Sequence, residues 1–198
     1  MRTGKERALD AYLAASARTG SRSALDKLAG RWQRKLLAHA HRMTGEADLA
    51  ADVVQEAWTD ILRGIGRLDD VNAFPAWAFR IVTRRCARAI RGRQRRRAGT
   101  AALARDAGPT TGDDGGHENR ADLAVIRRAM AELPAEQRAA LGLFYLEGLR
   151  VAEIAVALDV APGTVKTRLM HARNWWPFNW IIADSVGLSA FRARRGLQ

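Results

Sequence analysis

An all-α fold, with two small helical domains joined by a flexible linker, is predicted from three observations on this sequence. Apolar residues recur at helical spacing in successive windows, and no window alternates with period two over a convincing length. Residues 98–119 combine Gly, Pro, Thr and Asp without a sustained apolar stripe, which is a linker composition. The helical windows therefore fall into two blocks.

The first block, residues 1–97, is predicted to contain four helices. Apolar stripes open the first helix at Leu9, Tyr12 and Leu13 and line the second at Leu25, Leu28, Trp32, Leu36 and Ala40. The third helix directs inward Leu49, Val53, Ala57 with Trp58, and Ile61 with Leu62. The fourth runs from about Ala73 towards Arg97, with Asn72 as its cap and Pro75 in its tolerant first turn.

The second block, residues 120–176, is predicted to contain four short helices. One covers residues 123–133, and the next is opened by Pro134 and ended by Gly148 in the left-handed conformation. The stretch from Leu149 to Leu169 then gives two short helices separated only by residues 159–161. The expected core of this block consists of Leu141, Phe144, Ile154, Leu158, Val165 and Leu169.

The last two helices match the helix-turn-helix pattern that reads a DNA major groove. Pro162 suits the first position of the second helix, where its missing N–H is harmless. Outside that helix lie donors and cations: Thr164, Lys166, Thr167, Arg168, His171 and Arg173. An ordinary surface hairpin with a basic outer face is the alternative that this window alone leaves open.

The net charge of +12, nearly all of it from an excess of Arg, predicts an anionic partner, with nucleic acid ahead of membrane or acidic protein. The single cysteine, Cys86, excludes an internal disulfide and a cysteine-based zinc site, which fits a reducing cytoplasm. Because the N-terminus has no signal-peptide core and no run approaches a membrane span, we expect a soluble cytoplasmic protein.

The fourth helix concentrates the positive charge. Residues 71–105 contain no acidic residue, and between Arg80 and Arg97 lie nine arginines. A solvated face normally mixes charges of both signs, so this density predicts a polyanionic ligand. Phe74, Trp77 and Phe79 precede the arginines; at least one should be buried, and an outward Trp77 would stack on unpaired bases.

Taken together, these motifs resemble the extracytoplasmic-function group of bacterial RNA polymerase sigma factors, from about Leu9 to Arg173. The stretch "ADVVQEAW" is similar to the helix that grips the polymerase clamp, and "AFPAWAFRIVTRRCARAIRGRQRRR" to the segment that melts and reads the −10 element. The stretch from Leu133 to Arg173 is similar to the −35-reading domain.

The resemblance implies a sigma region 2-like bundle, a region 4-like helix-turn-helix, and binding to the β′ clamp and β flap of core polymerase. By position it assigns polymerase contacts to Asp52, Gln55 and Glu56. It assigns −10 DNA to Trp77, Arg80, Arg84, Arg88 and Arg91. It assigns −35 DNA to Thr164, Lys166, Thr167, Arg168, His171 and Arg173. No cofactor, metal or enzymatic activity is implied, and an anti-sigma factor is a further candidate partner.

The chain departs from the family pattern in three places. Arg84 stands where many relatives have Asn, and Ala161 stands where a Ser cap is common. The tail, residues 177–198, is atypical, and half of the six tryptophans lie between Trp175 and Trp180. That apolar patch either packs on the second domain or docks a partner, or the tail is divergent or frame-shifted.

Three other classes of protein share part of this pattern. A one-component helix-turn-helix regulator leaves "DVVQEAW" and the arginine helix without a role. A sigma mimic that sequesters an anti-sigma factor shares the architecture but does not need the basic DNA-reading residues. A nucleic-acid enzyme needs clustered carboxylates or an activated nucleophile, and the acids here lack metal-site spacing. Cys86 is expected to be either a thiol of lowered pKa or, as we favour, a buried inert one.

Overall fold

The computed structural model describes residues 3–100, 130 and 132–174, and within them every regular element is helical. The helices are α1 (Gly4–Arg18), α2 (Arg22–Thr44), α3 (Ala47–Gly64), α4 (Phe74–Thr100), α5 (Ala135–Tyr145), α6 (Val151–Leu158) and α7 (Pro162–Asn174). Two single 3-10 turns, Ile65–Arg67 and Val71–Ala73, connect α3 to α4. The all-α prediction is confirmed, and none of the described helices is both long and apolar enough to cross a membrane.

The helix ends follow the local chemistry of the sequence. Thr3 and Glu6 form a reciprocal capping box at the start of α1, and Ser21 caps α2. The predicted cap at Asn72 is wrong. Asn72 lies inside a 3-10 turn that Asp70 caps by accepting a hydrogen bond from its backbone N–H, and α4 begins after that turn.

α2, α3 and α4 form the core of the first domain. The Trp32 ring meets the edges of Phe74 and Phe79 at centroid distances of 5.4 and 5.6 Å, a geometry that adds about 0.5–1.5 kcal/mol per pair to area burial. The predicted stripe of α2 is confirmed, since Leu28, Trp32, Leu36 and Ala40 are buried.

Three residues expected to point inward are instead exposed. Leu9 and Tyr12 are 43% and 68% exposed, and Leu62 is 53% exposed. In α1 the buried face is formed by Asp10, Leu13, Ala14 and Ala17, so the stripe is rotated from its predicted position. In α3, Ala57 and Ile61 are buried rather than their neighbours Trp58 and Leu62, because only one residue of each neighbouring pair can lie on the inner face.

The second domain consists of α5 to α7 in the described residues. Gly148 takes a φ of +63° after α5, and Asp159 takes a φ of +56° between α6 and α7. The sequence predicts both features: the left-handed Gly148 at the end of the helix that Pro134 opens, and the tight turn over residues 159–161. The helix predicted in residues 123–133 falls mostly outside the described residues, as does the linker, except that α4 continues to Thr100.

The two domains pack directly on each other. α6 lies against α4, and α5 lies against α2. A single buried apolar cluster contains residues of both domains, among them Leu36 and Phe79 of the first and Leu143 and Ile154 of the second. The arginine helix α4 is therefore sandwiched between the core of its own domain and the helix-turn-helix.

His39 is fully buried between α2 and α4, where its Nε2 lies 2.9 Å from Thr83 Oγ1 and its ring meets the edge of Phe79. Burial, and secondarily the charge of Arg42, lowers the pKa of His39 from 6.5 to about 3. The folded state therefore keeps this imidazole neutral at pH values at which the unfolded chain protonates it.

We expect the free energy of unfolding to fall as pH drops below about 6.5, by up to about 1.4 kcal/mol per pH unit, because only the unfolded state takes up this proton. Urea denaturation between about pH 7.5 and pH 5 measures the slope, above the range in which most carboxylates titrate. The variant His39→Gln should show a flatter slope whatever its absolute stability. An unchanged slope would contradict the assignment.

Candidate nucleic-acid and polymerase surfaces

From Arg80 to Arg93, the arginines of α4 fall into three groups: those paired with acids of the first domain, those that are exposed, and those paired with the second domain. Arg85 is only 25% exposed and lies against α3, where it donates to both oxygens of Asp60 at 2.7 Å and to Glu56 at 2.6 Å. These bonds raise the pKa of the Arg85 guanidinium and lower that of the Asp60 carboxyl. Arg93 pairs with Glu46 at the start of α3.

Arg88 and Arg91 remain exposed, so part of the predicted anion-binding face is open. Arg85 and Arg93, in contrast, are neutralised by Asp60 of α3 and by Glu46, the residue that precedes α3. The inference from sequence that the whole arginine run needs a polyanion is therefore too broad. It overlooked acids that are distant in sequence but adjacent in the fold.

Arg80 and Arg84 also have a partner, which belongs to the second domain. Arg80 Nε and Nη2 donate to Asp159 Oδ1 at 3.1 and 2.8 Å. Arg84 Nε and Nη2 each donate to Asp159 Oδ2 at 3.2 Å. The hydrogen bond from Arg80, above all, lowers the pKa of the Asp159 carboxyl.

The aromatic residues of α4 are less available than stacking requires. Phe74 and Phe79 are fully buried, as expected for at least one member of the group. Trp77 is partly buried and packs so closely on Gly64 that a Cβ there would lie 2.9 Å from the Trp77 ring. Only part of the indole can meet a base while this packing persists.

The residues assigned to polymerase form one polar strip on α3. Asp52, Gln55 and Glu56 are exposed, while Val53 and Val54 between them are buried. Glu56 also accepts the bond from Arg85, so only Asp52 and Gln55 can be substituted without disturbing α4.

The outer face of α7 presents five of its six predicted DNA contacts to solvent. Thr164, Lys166, Thr167, His171 and Arg173 are exposed, with Val165, Leu169 and Ala172 buried behind them. Arg168 differs, because its side chain is only 17% exposed and its guanidinium donates to Glu136 of α5. The expectation that Arg168 points away from the domain is wrong in this arrangement.

Cys86 is buried, and its pKa is raised to about 12 by loss of solvation. This favours the inert thiol over the reactive one. No group of three or more His, Cys, Asp or Glu residues among those described could hold a metal ion.

Known proteins resemble this chain in both domains. The model for sigma-70 region 2 matches residues 28–96, and the model for sigma-70 region 4 matches residues 123–175. RNA polymerase sigma-H factor of Pseudomonas aeruginosa is 31% identical over 174 residues, covering 83% of this chain and 90% of that protein. ECF RNA polymerase sigma factor SigM of Mycobacterium tuberculosis is 33% identical over 170 residues, covering 86% and 84%.

The chain belongs to the extracytoplasmic-function group of sigma-70 factors. Members of this family direct RNA polymerase to promoters and are initiation factors rather than enzymes, so the resemblance found in the sequence is confirmed.

Two solved structures share the fold. The sigma factor RpoE from Bartonella quintana, in complex with the anti-sigma factor NepR, superposes with a TM-score of 0.63 at 21% identity, covering 83% of this chain and 98% of that one. CnrH, in complex with the cytosolic domain of CnrY, gives a TM-score of 0.59 at 23% identity, covering 84% and 94%.

The neighbouring residues Arg84 and Arg85 should behave differently when each is changed to Ala. Arg85→Ala leaves two carboxylates of α3 without their partner and should lower the free energy of unfolding by about 1–2 kcal/mol. Arg84→Ala removes an exposed pair and should cost less than about 0.5 kcal/mol. Thermal and urea denaturation measure both. Equal losses of the free energy of unfolding would show that the bonds from Arg85 to α3 stabilise the protein no more than the exposed pair of Arg84 does.

Proposed function

We propose that this sigma factor divides promoter recognition between its two domains, within the bounds 1–97 and 120–176, with residues 98–119 as the link. α4 holds the −10 DNA through Arg80, Arg84, Arg88 and Arg91, and α7 reads the −35 element. The observation that carries this proposal is the outer face of α7, where donors and cations are exposed over a buried apolar face.

Core RNA polymerase is the protein partner that we propose for the strip on α3, through its β′ clamp, while the second domain meets the β flap. Asp52, Gln55 and Glu56 lie on one face of a helix whose opposite face is core, so the strip is free to bind without unfolding. We propose that the protein binds polymerase in the cytoplasm. An anti-sigma factor is proposed as a regulator, supported by the complexes in which RpoE and CnrH were solved.

Transcription by purified core polymerase, with and without the chain, tests the proposal as a whole. Discrete start sites that require the chain and share upstream −10 and −35 sequences are the expected result. Specific duplex binding without any effect on core polymerase would favour the one-component regulator. Binding of an anti-sigma factor with no DNA or polymerase binding would favour the sigma mimic.

The double variant Asp52→Ala/Gln55→Ala should weaken co-purification with core polymerase while changing the free energy of unfolding by less than about 0.5 kcal/mol, since both side chains are exposed. Glu56 is left intact because of its bond to Arg85. The exposed Asp48, one turn earlier on α3, provides the control variant Asp48→Ala. Unchanged co-purification of the double variant would remove the strip from the polymerase interface.

Arg168→Ala should narrow the transcriptional advantage of a matched over a mismatched −35 element, by up to about 1–3 kcal/mol if the guanidinium makes a bidentate base contact. Glu136→Gln should also narrow this advantage, to a smaller extent, because the Glu136 carboxylate orients the Arg168 guanidinium. Lys166→Ala should lower transcription from both templates alike, as expected for a phosphate contact.

The alternative is that Arg168 serves only the packing of α7 on α5. In that case Arg168→Ala and Glu136→Gln would lower the unfolding midpoint, and the ratio between matched and mismatched templates would stay at the wild-type value.

A further inference from the structure

The turn between α6 and α7 places one carboxylate on the two arginines that the proposed function assigns to −10 DNA. Asp159 shares its two oxygens between them, one oxygen accepting two bonds from Arg80 and the other two from Arg84. Each guanidinium thus presents a side-on pair of donors, which is the geometry that it offers to a phosphate. Within this arrangement, the donors are occupied by the protein's own second domain.

This contact belongs to an extended interface. From α1, Arg7 Nη1 donates to Glu153 at 3.1 Å and Arg7 Nη2 to the carbonyl of Gly148 at 2.9 Å. From α2, Lys35 Nζ lies 3.6 Å from Glu147, whose side chain is only 8% exposed. Glu147, Glu153 and Asp159 all belong to the second domain, and each pairs with a cation of the first. Glu153 also pairs with Arg150 of its own domain.

Close packing also holds α2 against α5. A Cβ at Gly142 would lie 2.8 Å from Cδ and Nε of Arg42, and its third nearest atom also belongs to Arg42. Arg138 of α5 donates to the Arg42 carbonyl at 2.8 Å. A side chain at position 142 would therefore be directed at the first domain, while the rest of α5 would keep its own contacts.

We propose that the second domain closes over α4 when DNA is absent and that Asp159 there competes with the −10 strand for Arg80 and Arg84. The proposal rests on the proposed function, from which it takes the role of these arginines. A phosphate cannot take the same donors while Asp159 holds them, so binding of the −10 strand requires the domains to separate. The apparent affinity is then reduced by the fraction of closed molecules.

Closure masks the two DNA surfaces unequally. The outer residues of α7, including Lys166, Thr167 and Arg173, are exposed although the domains are in contact. The −35 surface is therefore available in the closed form, and on α4 the second domain occupies the donors of Arg80 and Arg84 but not those of the exposed Arg88 and Arg91. A first contact at −35 is thus compatible with closure, whereas binding of the −10 strand to Arg80 and Arg84 is not.

The charge of Asp159 can be removed without changing its backbone. Its φ of +56° is a conformation that Asn also tolerates, so Asp159→Asn should keep the turn and lose the ion pairs. Asp26 is an exposed residue of α2, and Asp26→Asn makes the same change in net charge away from Arg80 and Arg84. Gly142→Leu adds bulk against the Arg42 side chain in the interface, with no change in charge and with a strong helix former in α5.

The experiment measures binding of the full chain to a fluorescein-labelled, mixed-sequence single-stranded DNA by anisotropy. Asp159→Asn should bind about threefold to tenfold more tightly than Asp26→Asn, and Gly142→Leu more tightly than wild type by a similar factor. Small-angle scattering of the same samples should show a larger radius of gyration for Gly142→Leu. Circular dichroism confirms that each variant is helical.

Equal affinities for Asp159→Asn and Asp26→Asn would overturn the competition, and so would a Gly142→Leu variant that is expanded but binds no more tightly. The double variant Arg80→Ala/Arg84→Ala separates this failure from failure of the proposed function. If it binds single-stranded DNA as well as wild type does, the −10 role of these arginines is itself wrong. If it binds more weakly while Asp159→Asn has no effect, only the closure is wrong.

Discussion

α4 must bury one side and expose the other, and most of the structure depends on this constraint. Phe74, Phe79, Val82 and Cys86 pack into the first domain, so the arginines at intervening positions are forced towards α3, the second domain or solvent. Unpaired, such a density of like charge would destabilise the helix, and carboxylates of both α3 and the α6–α7 turn relieve it. The helix that we propose binds the −10 DNA is thus also the one on which the two domains meet.

The ion pairs of α4 differ in whether they can break while both domains stay folded. Those with Asp60 and Glu46 join helices of one domain and persist whenever that domain is folded. Those with Asp159 join two domains whose linking segment, residues 98–119, has the composition of a linker. Because the second kind can be broken without unfolding either domain, the arginines that make it are the ones suited to exchange a carboxylate for a phosphate.

Helical periodicity was enough to predict the fold class, the core stripe of α2, most of the core stripes of α3 and the second domain, the polar strip on α3, and five of the six outer residues of α7. It was insufficient wherever a contact joins distant residues. Nothing near Asp159 or Glu136 in the sequence indicates that they meet Arg80 and Arg168. The rotation of α1 and the cap at Asp70 rather than Asn72 also depended on tertiary packing and on an intervening 3-10 turn. The Trp-rich tail lies outside the described residues.

Single-molecule energy transfer between dyes on Lys27→Cys of α2 and Glu132→Cys, next to α5, tests closure most directly. Both positions are exposed, and the native Cys86 is buried with a raised pKa, so it will not react. One population with a fixed transfer efficiency is predicted for the free chain, and a distinct second population once core polymerase and promoter DNA are added. A free chain with a broad distribution, or one whose efficiency is unchanged in the promoter complex, would contradict the closed arrangement.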